Sequence, residues 1–180
     1  MNIRIIAGKF GSRPIDAPGR RSTHAMSERA RSALFNSLGD YVEGATVLDA
    51  FAGSGSLGLE ALSRGAKSVV FVERDRIAAK IIASNVKMLG VEHQATVIQA
   101  GISSWMDTSS DEKFDLILAD PPYGNPQFST VLKIFGLLKP RALMVLSHPG
   151  NGEVPIQDGI VVVDNRSYGN LYLTVFRREA

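Results

Sequence analysis

The sequence predicts an α/β fold built on a largely parallel sheet, and three observations carry that expectation. From Ala45 onward, short apolar runs alternate with helical segments; Gly or Asp punctuates nearly every junction; and the chain closes on two strands with no room for a helix between them. Apolar strands alternating with helices argue for a parallel sheet covered on both faces. With 180 residues and 44% hydrophobic content, the chain can bury one sizeable core without disulfide or metal staples.

The elements follow in order. Ile3-Arg4-Ile5-Ile6-Ala7 reads as a strand, Gly8 to Ser12 as a turn, and Arg13-Pro14-Ile15 as the return arm of a hairpin, with Pro14 confining that arm to an edge. Ala17 to Ser22 has no apolar period and reads as a loop. Met26, Ala30, Ala33, Leu34 and Leu38 then fall on one helical face, with Ser27 as cap and Gly39 as stop, and Arg29 and Arg31 are expected to point away from it. Ala45 to Ala50 is the first strand of the main sheet, Ser56 to Arg64 a helix closed by Gly65, and Lys67 to Val72 the second strand. Asp75 caps a helix ending at Gly90, in which Met88, at helical spacing with other apolar residues, is expected in the core; Ala95 to Gln99 is the third strand, and Phe114 to Ala119 the fourth. Gln127 to Leu138 is expected as a helix stopped before Pro140, followed by a fifth strand over Ala142 to Leu146. Ile160 to Val163 and Leu171 to Phe176 form an antiparallel hairpin at the sheet edge. Two units are expected: a basic hairpin and loop over residues 1–25, and an α/β domain over residues 26–180.

Composition excludes several classes. Without Cys there is no disulfide framework, thiolate zinc site, iron–sulfur cluster or cysteine nucleophile. His24, His93 and His148 are scattered without ligand spacing, so no metal is expected. No segment reads as a signal peptide or approaches the roughly 20 apolar residues of a membrane span. A monomeric, cytoplasmic protein is the expectation. The formal net charge of +2 divides unevenly: residues 1–31 hold seven basic side chains (Arg4, Lys9, Arg13, Arg20, Arg21, Arg29, Arg31) and two acidic ones, a balance of +5 against −3 for the rest. That asymmetry prompts an anionic polymer as partner, although a solvated basic end reads equally well from charge alone.

Two motifs carry chemistry. Asp49-Ala50-Phe51-Ala52-Gly53-Ser54-Gly55-Ser56-Leu57-Gly58 follows a strand and opens a helix, where glycines let a backbone approach a ligand closely. Glu73 lies 20 residues after Gly53, at the end of the second strand, where a carboxylate accepts hydrogen bonds from ribose hydroxyls. An adenosine-containing cofactor follows. An acid just before the loop would repel a dinucleotide pyrophosphate, so Asp49 favours the cationic S-adenosylmethionine over NAD. The second motif, Asp120-Pro121-Pro122-Tyr123, follows the fourth strand and should face the same crevice. Its chemistry suits an aromatic amine. The lone pair of such an amine is delocalised into its ring; the Asp120 carboxylate and the Pro121 carbonyl can bind its two hydrogens, while Tyr123 stacks on a flipped base.

On these residues the chain resembles the RsmD family of S-adenosylmethionine-dependent methyltransferases, which act on the exocyclic amino group of a guanine in small-subunit (16S) ribosomal RNA. The resemblance runs through nearly the whole length: the hairpin Ile3 to Ile15, the helix Ser27 to Leu38, the cofactor loop with Leu59-Glu60-Ala61-Leu62-Ser63-Arg64-Gly65, and Asp120 to Tyr123. It implies a Rossmann-like class I methyltransferase fold, with a seven-stranded, mostly parallel sheet and an antiparallel last strand. Implied catalytic residues are Asp120, Pro121, Pro122 and Tyr123. Implied cofactor contacts come from Asp49, Phe51, Gly53, Ser54, Gly55, Glu73, Gly101 and Ile102, and the seven N-terminal cations are expected to hold RNA, free or in an assembling small subunit. The sequence departs from the family pattern at His24-Ala25-Met26, where the family usually carries Arg-Pro-Thr, and at Ser32, where it carries an acid. Three other readings compete: a DNA amino methyltransferase, for which no target-recognition stretch is found; a protein glutamine methyltransferase, which typically has Asn in place of Asp120; and a non-enzymatic RNA-binding module, which leaves Asp120 to Tyr123 without a purpose.

Overall fold

The computed structural model describes residues 2–19, 26–108, 111–122, 128–150 and 154–180. Arg20, Arg21, His24, Ala25 and Tyr123 lie outside them. The main sheet has seven strands: β3 (Thr46–Asp49), β4 (Ser68–Glu73), β5 (Ala95–Gln99), β6 (Phe114–Ala119), β7 (Leu138–His148), β8 (Ile160–Tyr168) and β9 (Leu171–Arg178). Their order is β5-β4-β3-β6-β7-β9-β8. The first five strands are parallel, and β9 runs antiparallel to both β7 and β8. The predicted terminal hairpin is therefore present, with its second strand inserted between β7 and the edge strand β8.

Helices α2 (Ser56–Ser63), α3 (Arg76–Leu89), α4 (Ile102–Thr108) and α5 (Phe128–Phe135) connect the strands, and α1 (Glu28–Leu38) precedes them. Ser27 caps α1 by accepting from the Ala30 N–H, and Asp75 caps α3 by accepting from the Ile77 N–H. Two apolar clusters cover the two faces of the sheet. One gathers Leu34, Phe35, Leu59, Phe71 and Ile82; the other gathers Trp105, Phe114, Ile134, Phe135 and Phe176. No helix among the described residues is long and apolar enough to cross a membrane.

Three expectations are corrected. Helix α4 stands where only a connection was read, because seven residues offer too few turns for a clear period; its Ile102 and Trp105 are nonetheless buried. Helix α5 ends at Phe135, and β7 begins at Leu138, because Leu138 pairs with Phe114 before a register shift that carries Pro140 and the positive-φ Arg141. A bulge tolerates a proline that a regular ladder would not. Met88, expected in the core, is 47% exposed, since α3 buries Ala78, Ala79, Ile82, Asn85, Val86 and Leu89 instead.

The N-terminal hairpin, β1 (Asn2–Arg4) paired with β2 (Pro14–Asp16), docks on α2 and α3. Its Ile5, Phe10 and Ile15 join the first apolar cluster. A fully buried carboxylate, Glu60, anchors it: Oε1 accepts from the Ile6 N–H at 2.9 Å and Oε2 from the Ala7 N–H at 3.1 Å. Ser63 adds bonds to the Phe10 N–H and the Ala7 carbonyl, and its own carbonyl accepts from the Lys9 N–H. Gly8 makes that approach possible. Its φ is +84°, and a Cβ there would lie 2.0 Å from the Ser63 carbonyl oxygen.

Candidate active site

The strand order positions the site. From the adjacent central strands β3 and β6 the chain departs in opposite directions, through α2 to β4 on one side and through α5 to β7 on the other. A crevice opens at the carboxyl ends of strands at such a reversal. Asp49 ends β3, Glu73 ends β4, Gln99 ends β5, Asp120 follows β6, and Ser147 and His148 end β7.

Asp49 is fully buried. One carboxyl oxygen accepts from the Gly58 N–H at 3.0 Å; the other, Oδ1, has no partner among the described residues. Burial pushes its pKa up to about 7, the Gly58 N–H opposes that, and the nearby Asp120 and Glu73 push the same way as burial. Gly58 is itself constrained, because a Cβ would sit 2.3 Å from the Phe71 ring. Thus the third glycine of the loop seats α2 against β4 and presents its amide to Asp49. Glu73 ties the loop to the next helix: it accepts from the Gly53 N–H at 2.8 Å and from the Asp75 N–H at 2.6 Å. A Cβ added at Gly53 or Gly101 would meet no atom within 4 Å among the described residues, so open space adjoins both there.

The remaining residues expected around a cofactor divide by exposure. Phe51 and Gly101 are half-buried, and Gly55 is buried at the start of α2. Ser54 turns its hydroxyl inward to accept from the Ser56 N–H at 3.3 Å, and Ile102 packs its side chain into the core at the start of α4. Ile102 can therefore serve a ligand only through backbone groups, whereas the Ser54 hydroxyl retains its O–H donor.

Asp120, Pro121 and Pro122 leave β6 at the crevice, with Asp120 and Pro121 half-buried and Pro122 exposed. The Asp120 carboxylate accepts a hydrogen bond from the Ser147 hydroxyl. Burial raises the pKa of Asp120, and that hydrogen bond works against the rise. Reasoning from sequence overlooks Ser147. The available signal is its place directly after the apolar run Ala142 to Leu146, on a strand adjacent to the one that delivers Asp120.

The basic residues do not form one group. Arg4, Lys9, Arg13 and Arg29 are exposed. Arg31, expected on the RNA face, is 1% exposed and lies 3.5 Å from Glu60, which also binds Arg64 at 2.9 Å. Burial lowers the Arg31 pKa while Glu60 opposes the fall. Arg31 belongs to the hairpin anchor and is unavailable to a polymer on the surface. Lys9 and Arg13 contact Ser63 and Met88, near the last residues of α2 and α3. Helices that connect parallel strands run against them, so those last residues lie at the amino ends of the strands, away from Asp120. α1 runs alongside α2 in the same sense, since Arg31 meets Glu60 and Asn36 meets Arg64; its first turn, with Arg29 and the Arg4–Glu28 pair, therefore lies toward the crevice.

Comparison with known proteins identifies the family. The family model described as conserved hypothetical protein 95 matches residues 3–177. Ribosomal RNA small subunit methyltransferase D of Escherichia coli strain K12 is 31% identical over 182 residues, covering 99% of this chain and 91% of the relative. The protein of the same name from Haemophilus influenzae is 36% identical over 147 residues, covering 79% and 76%. A solved Escherichia coli structure described as "Putative methyltransferase yhhF" superposes with a TM-score of 0.90 at 28% identity, covering 100% of this chain and 99% of that one. The chain belongs to the conserved hypothetical protein 95 family, which is the RsmD family of the small-subunit ribosomal RNA methyltransferases D.

Proposed function

We propose that this protein transfers a methyl group from S-adenosylmethionine to the exocyclic N2 amino group of a guanine in small-subunit ribosomal RNA. The observation that carries the reading is the meeting of two sites at one crevice: Asp49, Gly53 and Glu73 on one side, and Asp120-Pro121 on the other. Relatives aligned over 79–99% of this chain bear the name of ribosomal RNA methyltransferases.

The residues fit the cofactor. Asp49 Oδ1 is a buried acceptor without a partner among the described residues, suited to a cation or to a water that bridges to one. Glu73, at the end of β4, has each carboxyl oxygen on one backbone N–H, and a second lone pair on each remains for a ribose hydroxyl. Open space beside Gly53 and Gly101 leaves room for a nucleoside against the backbone. When bound, S-adenosylmethionine supplies an electrophilic methyl group on a positively charged sulfur.

The protein's contribution is to hold and orient the amine. Asp120 and the Pro121 carbonyl accept its two N–H groups, which weakens delocalisation of the nitrogen lone pair into the ring and fixes its direction. An ionised Asp120 is the competent form, since a protonated carboxyl accepts more weakly. Pro121 and Pro122 restrict the backbone that carries the accepting carbonyl. Tyr123 is assigned to stacking on the extruded base. Arg4 and Arg29, near the crevice side of α1, are assigned to backbone phosphates, together with Arg20 and Arg21 of the adjoining segment. A soluble protein acting on RNA or on an assembling small subunit in the cytoplasm follows from this reading.

Incubation with labelled S-adenosylmethionine and undermodified small-subunit RNA or subunits tests it. Label should enter the RNA with the wild type and not with Asp120→Ala. Label on DNA alone would favour the competing DNA reading.

A further inference from the structure

We infer that Ser147 is a positioning residue for methyl transfer: its hydroxyl holds Asp120 by one carboxyl oxygen, Oδ1, so that the other, Oδ2, is presented to the substrate amine. This rests on the assignment of Asp120 made above.

The geometry follows from the sheet. β6 and β7 are parallel neighbours in a register that pairs Ala119 with Leu146. The next residues on the two strands are Asp120 and Ser147, so their side chains leave the same face side by side. Ser147 is 3% exposed and pairs in register with Leu173 of β9 on its other side. A buried hydroxyl flanked by strands has few rotamers, and this one donates to Asp120 Oδ1. A carboxylate whose one oxygen is fixed can no longer rotate freely about its terminal bond.

The same bond sets the protonation state. Asp120 lies near a second acid, the buried Asp49 at the end of β3. His148, next to Ser147, does not offset this with positive charge. Burial lowers its pKa, its Nε2 meets Thr174 Oγ1 at 2.8 Å, and its Nδ1 accepts from the Gly150 N–H at 3.2 Å. Thr174 in turn donates to Asn165, so the imidazole is neutral with its proton on Nε2. Ser147 is thus the donor that favours the ionised form of Asp120 against burial. Removing it raises the Asp120 pKa and lowers the competent fraction at any given pH.

Kinetics of Ser147→Ala at saturating cofactor, where titration of Asp49 in the free protein no longer contributes, give the test. We expect kcat near pH 7 to fall about tenfold, KM for S-adenosylmethionine to stay unchanged, and the acidic limb of the kcat profile to move to higher pH, a loss in line with a hydrogen bond to a charged group. Ser147→Thr keeps the hydroxyl and should restore the wild-type limb. An unmoved limb in Ser147→Ala, or a lowered kcat with an unchanged profile, overturns the inference. The ¹³C titration of the Asp120 carboxyl in wild type and Ser147→Thr against Ser147→Ala requires no turnover: equal midpoints overturn the role of Ser147, and a higher midpoint in Ser147→Ala supports it. Full activity of Asp120→Ala on RNA would instead overturn the assignment of Asp120.

Discussion

Replacing Glu60 by Ala should remove much of this protein's stability margin. The carboxylate is 0% exposed, accepts from three donors, the Ile6 and Ala7 N–H groups and Arg64 at 2.9 Å, and faces the Arg31 guanidinium at 3.5 Å. Arg31 is 1% exposed, and its Nε and Nη1 already lack a hydrogen-bond partner among the described residues, so Glu60 holds it chiefly by charge. Leaving a buried cation uncompensated costs about 3–5 kcal/mol. Each part-buried N–H left without an acceptor adds up to about 1–3 kcal/mol. Relaxation and entering water will recover part of that sum, so a net loss of about 4–6 kcal/mol is expected, a large share of a total near 5–15 kcal/mol. In thermal unfolding this is a fall of roughly 10–20 °C for a chain of this length. Glu60→Gln keeps an acceptor but loses the charge and should fall between. Because the penalty belongs to the buried charge, Glu60→Ala combined with Arg31→Leu should be more stable than Glu60→Ala alone. Urea denaturation of the three variants decides the matter. A Glu60→Ala loss below about 1 kcal/mol, or a double variant no better than the single, would refute the anchor.

Two further outcomes follow from the site and the surface. Asp49 has a folded pKa raised from 3.8 to about 7, so the stability of the neutral form is fully present below pH 3.8 and is lost as pH rises through 7. Asp49→Asn removes that loss, and its stability relative to wild type should improve by about 3 kcal/mol between pH 5 and pH 8 in urea titrations, while its affinity for S-adenosylmethionine falls. A difference that does not vary with pH would contradict the burial of this carboxyl. On the surface, Arg29→Ala should weaken RNA binding and reduce the slope of log K against log salt by about one, whereas Lys9→Ala, at the amino ends of the strands, should do less. The opposite order would move the RNA to the other end of the sheet. Deleting residues 1–25 is a poor substitute for these point changes, because it strips Ile5, Phe10 and Ile15 from the core and leaves Glu60 without two of its donors.

How far the fold is legible depends on length and spacing. Strands β3 to β6 and helices α1 and α3 announce themselves through apolar runs, caps and glycine stops, and the carboxylates of the crevice can be placed because each ends or follows a strand. Arg31 is misplaced by the sequence reading, although the spacing contains the answer. It lies three residues before Leu34, four before Phe35 and seven before Leu38, on the buried stripe, and the expectation that a cation faces water sets it outside. Every residue of α2 is buried, Glu60 included, and a fully buried acid demands a cationic partner. A search for that partner leads to Arg31. What is not legible is tertiary: a hairpin of sequence-local bonds does not reveal which helix it docks on, and the pairing of Ser147 with Asp120 depends on a register that only the assembled sheet defines.

Nucleoside analysis of RNA methylated by the purified protein tests the assignment of guanine N2 as the methyl acceptor. Undermodified small-subunit RNA, or subunits carrying it, is incubated with labelled S-adenosylmethionine, digested to nucleosides and separated by mass. The label should reside in N2-methylguanosine with wild type and disappear with Asp120→Ala. Label in a methylated adenosine or cytidine, or label undiminished in Asp120→Ala, would contradict it.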